Sequence, residues 1–132
     1  MPRNSKAESM PVPTESQEQQ SLFLWAAYLR GKFPELDLLY HIPNGGKRGK
    51  GEGGRFKAEG VKAGVPDICL PVARGGYHGL YIELKRQKGS RLHETQKEWL
   101  ESLTKQGYYT AVCHGWQMAA DVIEKYLTEA AL

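Results

Sequence analysis

Val65-Pro66-Asp67-Ile68-Cys69-Leu70 and, beyond a turn at Arg74-Gly75-Gly76-Tyr77, Gly79-Leu80-Tyr81-Ile82-Glu83-Leu84-Lys85 read as two strands of one sheet. Both are short apolar runs bounded by turn residues, and Pro66 stands at the start of its run, where a missing N–H donor is tolerated. The short connection predicts antiparallel pairing. Side chains alternate along a strand, so Glu83 and Lys85 face one way and Leu84 the other. Once the strands pair, Asp67 can stand beside Glu83.

Two carboxylates on one face make an oxygen-rich site for a hard cation such as Mg²⁺, and the backbone carbonyl of Leu84 offers a further ligand. A cation held there would polarise a phosphoryl oxygen and lower the pKa of a water. Lys85, aimed at the same place, would stabilise the charge that gathers on the phosphoryl group or orient the water. Asp67, Glu83 and Lys85 are therefore the candidate catalytic residues, with Asp67, Glu83 and Leu84 as candidate metal ligands. The chemistry they fit is hydrolysis of a phosphate ester.

Working outward, Thr14-Glu15-Ser16-Gln17 has the form of a capping box ahead of a helix that ends near Gly31. Glu15, Leu22, Trp25, Ala26 and Leu29 fall on one stripe of it. Residues 1–13, polar and holding Pro2, Pro11 and Pro13, predict a disordered tail. Leu36 to Ile42 predicts a strand, closed by Pro43-Asn44-Gly45-Gly46, and a short helix is expected around Arg55 to Lys62. Downstream, Leu92, Trp99, Leu100 and Leu103 mark an amphipathic helix ending at Gly107. Tyr108 to Cys113 is a strand, and Trp116, Ala119, Ala120, Ile123 and Leu127 mark a closing helix. The order predicts an α/β fold, a central mixed sheet flanked by helices, with one domain over residues 14–132.

No apolar run approaches the roughly 20 residues that span a bilayer, and no secretory signal is evident, which predicts a soluble intracellular protein. Cys69 and Cys113 lie in strand-like runs and read as buried free thiols; no spaced Cys or His set suggests zinc. His41 and Asn44 lie close together but lack the second histidine that a ββα-metal nuclease needs. His78, His93 and His114 read as surface or strand-end residues. Trp25, Trp99 and Trp116 read as core.

The net charge is +3, but Lys47, Arg48, Lys50, Arg55, Lys57 and Lys62 face only Glu52 and Glu59 in one glycine-rich segment. That local surplus of four suits a polyanion, because each neutralised phosphate releases counterions. Residues Asn44 to Lys62 thus suit a phosphate backbone, with a solvated surface loop as the alternative reading. Gln96 is the remaining candidate. It falls on the inward face of its helix, where an amide needs a partner; a metal-bound water or a phosphate oxygen would serve, as would a capping role at the helix start.

Taken together, these stretches resemble the PD-(D/E)XK (restriction-endonuclease-like) superfamily, and within it the small stand-alone VRR-NUC nucleases of bacteriophages and bacteria. The matching stretches are Glu15-Ser16-Gln17-Glu18-Gln19, Ile42-Pro43-Asn44-Gly45-Gly46, Gly60-Val61-Lys62-Ala63-Gly64-Val65-Pro66-Asp67, Tyr81-Ile82-Glu83-Leu84-Lys85 and Gln96-Lys97-Glu98-Trp99-Leu100. The resemblance covers about residues 14–128. It implies a Mg²⁺- or Mn²⁺-dependent endonuclease acting on structured DNA, such as four-way junctions or flaps. It further implies a homodimer, in the cytoplasm of a bacterial or phage-infected cell. The family's core roles carry over to Asp67, Glu83 and Lys85, with Gln96 at the helix motif and a helix-one glutamate matched by Glu15 or by Glu18. His93 departs from the Ser or Thr that relatives often carry before this helix. A DNA-binding module without turnover and a nuclease acting on RNA remain the alternative readings.

Overall fold

The computed structural model describes residues 11–43 and 50–129, apart from the side chains of 50–53. Most of the expected tail, together with Asn44, Lys47, Arg48 and the side chain of Lys50, lies outside the described residues. In chain order the elements are α1 (Glu15–Leu29), a 3-10 helix (Pro34–Leu38), β1 (Tyr40–His41), α2 (Lys50–Ala58), β2 (Ile68–Leu70), β3 (Leu80–Lys85), α3 (Glu94–Lys105), β4 (Tyr109–His114) and α4 (Trp116–Thr128).

The four strands form one mixed sheet in the order β1-β2-β3-β4. β1 and β2 are antiparallel, as are β2 and β3, with Ile68 opposite Ile82 and Leu70 opposite Leu80. β3 and β4 are parallel, joined by α3 as the crossover that a parallel pair requires. Ile68, Leu70, Leu80, Ile82, Leu84 and Cys113 turn to one face and form the core with Leu22 and Ala26 of α1 and Ala119, Ile123 and Tyr126 of α4. The α3 helix packs against β4, where the Thr104 and Thr110 hydroxyls bond at 2.7 Å. Tyr81, Glu83, Lys85 and Thr110 lie on the face opposite the core.

Three sequence expectations change. The run from Leu36 to Ile42 is extended only at Tyr40–His41; its first half is the 3-10 helix. Pro34 is well placed at a helix start, and the buried residues Phe33, Leu36 and Leu39 repeat every three positions, the period of a 3-10 helix. The helix expected over Arg55 to Lys62 runs earlier, Lys50–Ala58. It stops where Gly60 takes φ +101° and Val61 N–H turns back to the Phe56 carbonyl. On α1 the buried stripe is Glu18, Leu22 and Ala26, whereas Glu15 is exposed. The capping box is formed, with Gln17 N donating to Thr14 Oγ1 and Thr14 N to Gln17 Oε1.

Both cysteines are buried and unbridged. Trp25 and Trp116 pack half-buried against the core, and Trp99 is half-buried on α3. No helix among the described residues is long and apolar enough to cross a membrane. Tyr126 is wholly buried, and its hydroxyl donates to the Val72 carbonyl at 2.6 Å. Tyr126→Phe orphans that carbonyl, and urea unfolding is expected to report a loss of about 1 kcal/mol.

Candidate active site

Asp67 stands one residue before β2, beyond the last antiparallel pair, Ile68–Ile82. There the ladder gives way to a side chain: Leu84 N donates to Asp67 Oδ2 at 2.9 Å. The Gly79 and Lys85 carbonyls accept from β4 and its flank, so by alternation the polar groups of Leu84 leave the opposite edge. The Leu84 carbonyl therefore leaves the same edge as the N–H that holds Asp67. Glu83 and Lys85 flank it, with only 1% and 3% of their surfaces exposed.

Gln96 joins the pair. Its Nε2 donates to Glu83 Oε2 at 2.9 Å, and its Oε1 accepts from Lys85 Nζ at 3.0 Å and from His93 N at 2.8 Å. Lysine and the peptide N–H can only donate, so the amide orientation is fixed by chemistry. Gln96 thus serves as the capping-box acceptor and also as the bridge between two buried side chains, which stand 3.8 Å apart (Lys85 Nζ to Glu83 Oε2).

Burial, and after it the charge of Asp67 alongside, push the Glu83 carboxyl up to about 9; Lys85 acts in the opposite direction and Glu15 adds slightly to the rise. No N–H or hydroxyl donor reaches the buried Glu83 Oε1, and the carboxyl next to Glu83 is that of Asp67. An acceptor left bare beside a second carboxylate is a good fit for a divalent cation. Asp67, Glu83 and the Leu84 carbonyl are the groups that would hold it. No group of three or more His, Cys, Asp and Glu side chains is gathered among the described residues. The smaller set suits Mg²⁺, which keeps several waters and takes one or two carboxylates.

The two helix-one glutamates have different surroundings. The Glu15 carboxylate is exposed, accepts from Ser90 Oγ at 3.3 Å and contributes to the field at Glu83. Glu18 is buried and turned elsewhere, accepting from Trp116 N at the start of α4 and from Gln87 Nε2, each at 2.9 Å. Arg55, Lys57 and Lys62 are exposed along the segment that leads into Asp67.

Two contributors were not evident from the sequence. His41 Nδ1 bonds the Asp67 carbonyl at 2.9 Å, and Ile42 N donates to the same oxygen. Gly64, at φ +92°, lies against the first turn of α3, where a Cβ would come within 2.8 Å of the Thr95 backbone. The approach to Asp67 is thereby seated one residue from Gln96. The signal for Gly64 was its place in the run that ends at Asp67; nothing in the sequence marked His41 for this role.

A mixed sheet with Asp67 at the mouth of one strand and Glu83-Leu84-Lys85 on its antiparallel neighbour is the PD-(D/E)XK arrangement. The family model for the VRR-NUC domain matches residues 14–117. A solved structure described as a VRR_NUC domain protein is similar over 92% of this chain and 93% of its own, with a TM-score of 0.78 and 36% identity. No curated protein matches. The chain belongs to the VRR-NUC family, and with that to nucleases of the PD-(D/E)XK type.

Because Glu83 titrates above its ordinary value, the native state binds more protons than the unfolded chain between pH 4.5 and about 9. Stability without added cation therefore falls as pH rises through that window. Asp67 and Glu15 raise this carboxyl and Lys85 lowers it, so the slope belongs to the cluster. Melting in EDTA is expected to show the decline. Glu83→Gln should flatten it and raise the midpoint at pH 8 by on the order of 5 °C.

Proposed function

We propose that the chain is a Mg²⁺- or Mn²⁺-dependent endonuclease hydrolysing phosphodiester bonds in structured DNA, four-way junctions or flaps, in the cytoplasm of a bacterial or phage-infected cell. The observation that carries this reading is the bare Glu83 Oε1 beside Asp67, with Lys85 held 3.8 Å from the same carboxylate. When bound, the cation supplies Lewis-acid activation of the phosphoryl group and acidifies water. Asp67, Glu83 and the Leu84 carbonyl would hold and orient it. Lys85 Nζ faces the charge that builds on the phosphoryl oxygens, and Gln96 fixes that ammonium so that little reorganisation is needed. Glu15, at the rim, is the helix-one glutamate of the site; Glu18 is spent on architecture. Arg55, Lys57 and Lys62 hold backbone phosphates, together with Asn44, Lys47, Arg48 and Lys50 of the same segment.

A homodimer completes the reading, since two symmetric strands suit a two-fold assembly. Its support is an apolar surface at α1 and the start of α4. Leu24 and Tyr28 are 63% and 81% exposed, and with Ser21, Trp25 and Trp116 they line a shallow cavity of about 390 Å³. Such a patch on a small domain suits a second copy. Sedimentation is expected to give a dimer for the wild type and a monomer for Tyr28→Glu; a monomeric wild type at working concentration removes the assembly.

The activity test uses labelled linear, flap and four-way DNA with Mg²⁺ or Mn²⁺, and an RNA control. Cuts in branched DNA that need the cation, reduced on the order of 100-fold or more by Asp67→Ala and by Lys85→Ala, are expected. Binding without cleavage would make the chain a DNA-binding module, and cutting of RNA alone would move the substrate.

A further inference from the structure

The face that carries Glu83 continues past the acids into a group of tyrosines that the proposed chemistry does not use. Tyr40 is paired with Cys69, and Cys69 with Tyr81, so the three side chains lie side by side across β1, β2 and β3. Cys69 is two residues from Asp67 and Tyr81 two from Glu83. Two residues of strand span roughly 7 Å, about the stride between neighbouring phosphates of an extended strand.

The arrangement of the rings is specific. The Tyr40 and Tyr81 side chains stand on either side of the buried Cys69. Neighbouring strands are only about 4.8 Å apart, less than the length of a tyrosine side chain. The two rings therefore crowd the small Cys69 side chain between them. Tyr108 meets Tyr81 edge-to-face at 5.2 Å, and His78 meets Tyr108 likewise at 5.8 Å. Tyr40 keeps 48% of its surface exposed. While α3 packs against β4, Tyr40 and Cys69 lie at the other side of the sheet, on β1 and β2.

We propose that Tyr40 and Tyr81, backed by Tyr108, form a stacking platform for an unpaired DNA base about one nucleotide from the phosphate held at Asp67 and Glu83. The inference rests on the nuclease reading and narrows its substrate class: the strand to be cut presents a splayed or single-stranded nucleotide beside the scissile bond. Charge and position favour this occupant. Arg55, Lys57 and Lys62 are exposed on the stretch of chain that leads from Tyr40 to Asp67, so cationic groups and ring faces both precede the acids along the chain. Aromatic faces beside a basic track are how single strands are held without base-specific hydrogen bonds.

The test separates the platform from turnover. A single-stranded DNA oligonucleotide carrying 2-aminopurine is titrated in Ca²⁺, so that binding is read without cleavage, and the same sequence with an abasic position serves as its partner probe. Tyr40→Leu is expected to raise the Kd about tenfold and to weaken the fluorescence quench. Tyr40→Phe, which keeps the ring, holds the wild-type Kd. The abasic probe abolishes the difference between wild type and Tyr40→Leu. On flap DNA with Mg²⁺, Tyr40→Leu is expected to raise KM and leave kcat within about twofold. Circular dichroism checks that this exposed edge position leaves the fold intact. Equal affinity of wild type and Tyr40→Leu, or equal binding of the intact and abasic probes by the wild type, overturns the proposal. Quenching that depends on Tyr40 in a protein that cuts nothing sustains the platform and removes the nuclease reading alone.

Discussion

Pairing Ile68 with Ile82 leaves Asp67 just past the last rung of the β2–β3 ladder, and that register brings two acids together on a face where Glu83 is buried. Burying like charges side by side is unfavourable, and the arrangement holds only because other groups act against it. Leu84 N–H satisfies one Asp67 oxygen, and Gln96 satisfies one Glu83 oxygen, with Lys85 3.8 Å from it. The remaining Glu83 oxygen is left bare. A one-residue slip of β3 would send Glu83 and Lys85 into the core and bring Leu84 out. The core face prevents this, since Leu80, Ile82 and Leu84 are all fully or almost fully buried there.

The two faces of the sheet therefore have separate duties. On one, α1 and α4 close a dry core, and Glu18 ties them by accepting the first N–H of α4, where the helix dipole also favours a negative charge. Gln87, just beyond β3, joins the same carboxylate, so the end of the strand that carries Lys85 is fastened to both helices. On the other, the polar groups are held rigid by single contacts from several elements: His41 and Ile42 on the Asp67 carbonyl, Gly64 against α3, and Gln96 between Glu83 and Lys85. Preorganised charge of this kind favours chemistry at some expense of stability. The elevated pKa of Glu83 is the local sign of that expense.

Much of this could be read from residue order. The turn at Arg74-Gly75-Gly76-Tyr77 and the alternation from Leu80 to Lys85 placed Glu83 and Lys85 on one face, and the apolar spacing marked α1, α3 and α4. The run from Leu36 does not declare itself, because a stretch of leucines is equally apolar as a strand or a 3-10 helix, and the three-residue burial period becomes visible only once the core exists. Glu15 falls on the apolar stripe of α1 by spacing yet is exposed for a related reason: periodicity says which residues share a face, not which face the neighbouring helix covers.

What the sequence by itself determined is local and periodic: the strand pair with its acids and lysine, the helix spacings, the basic segment and the family motifs, all set by alternation, capping and charge over a few residues. Only the tertiary structure decided which glutamate of α1 is buried, that Gln96 bridges Glu83 to Lys85, that His41 braces Asp67, and that three tyrosines from distant positions share a face with the acids. Each of these depends on groups separated by up to about a hundred residues meeting at hydrogen-bond or ring-contact distance, as Glu18 and Trp116 do. Such meetings are set by how layers pack, and packing is a property of the folded whole.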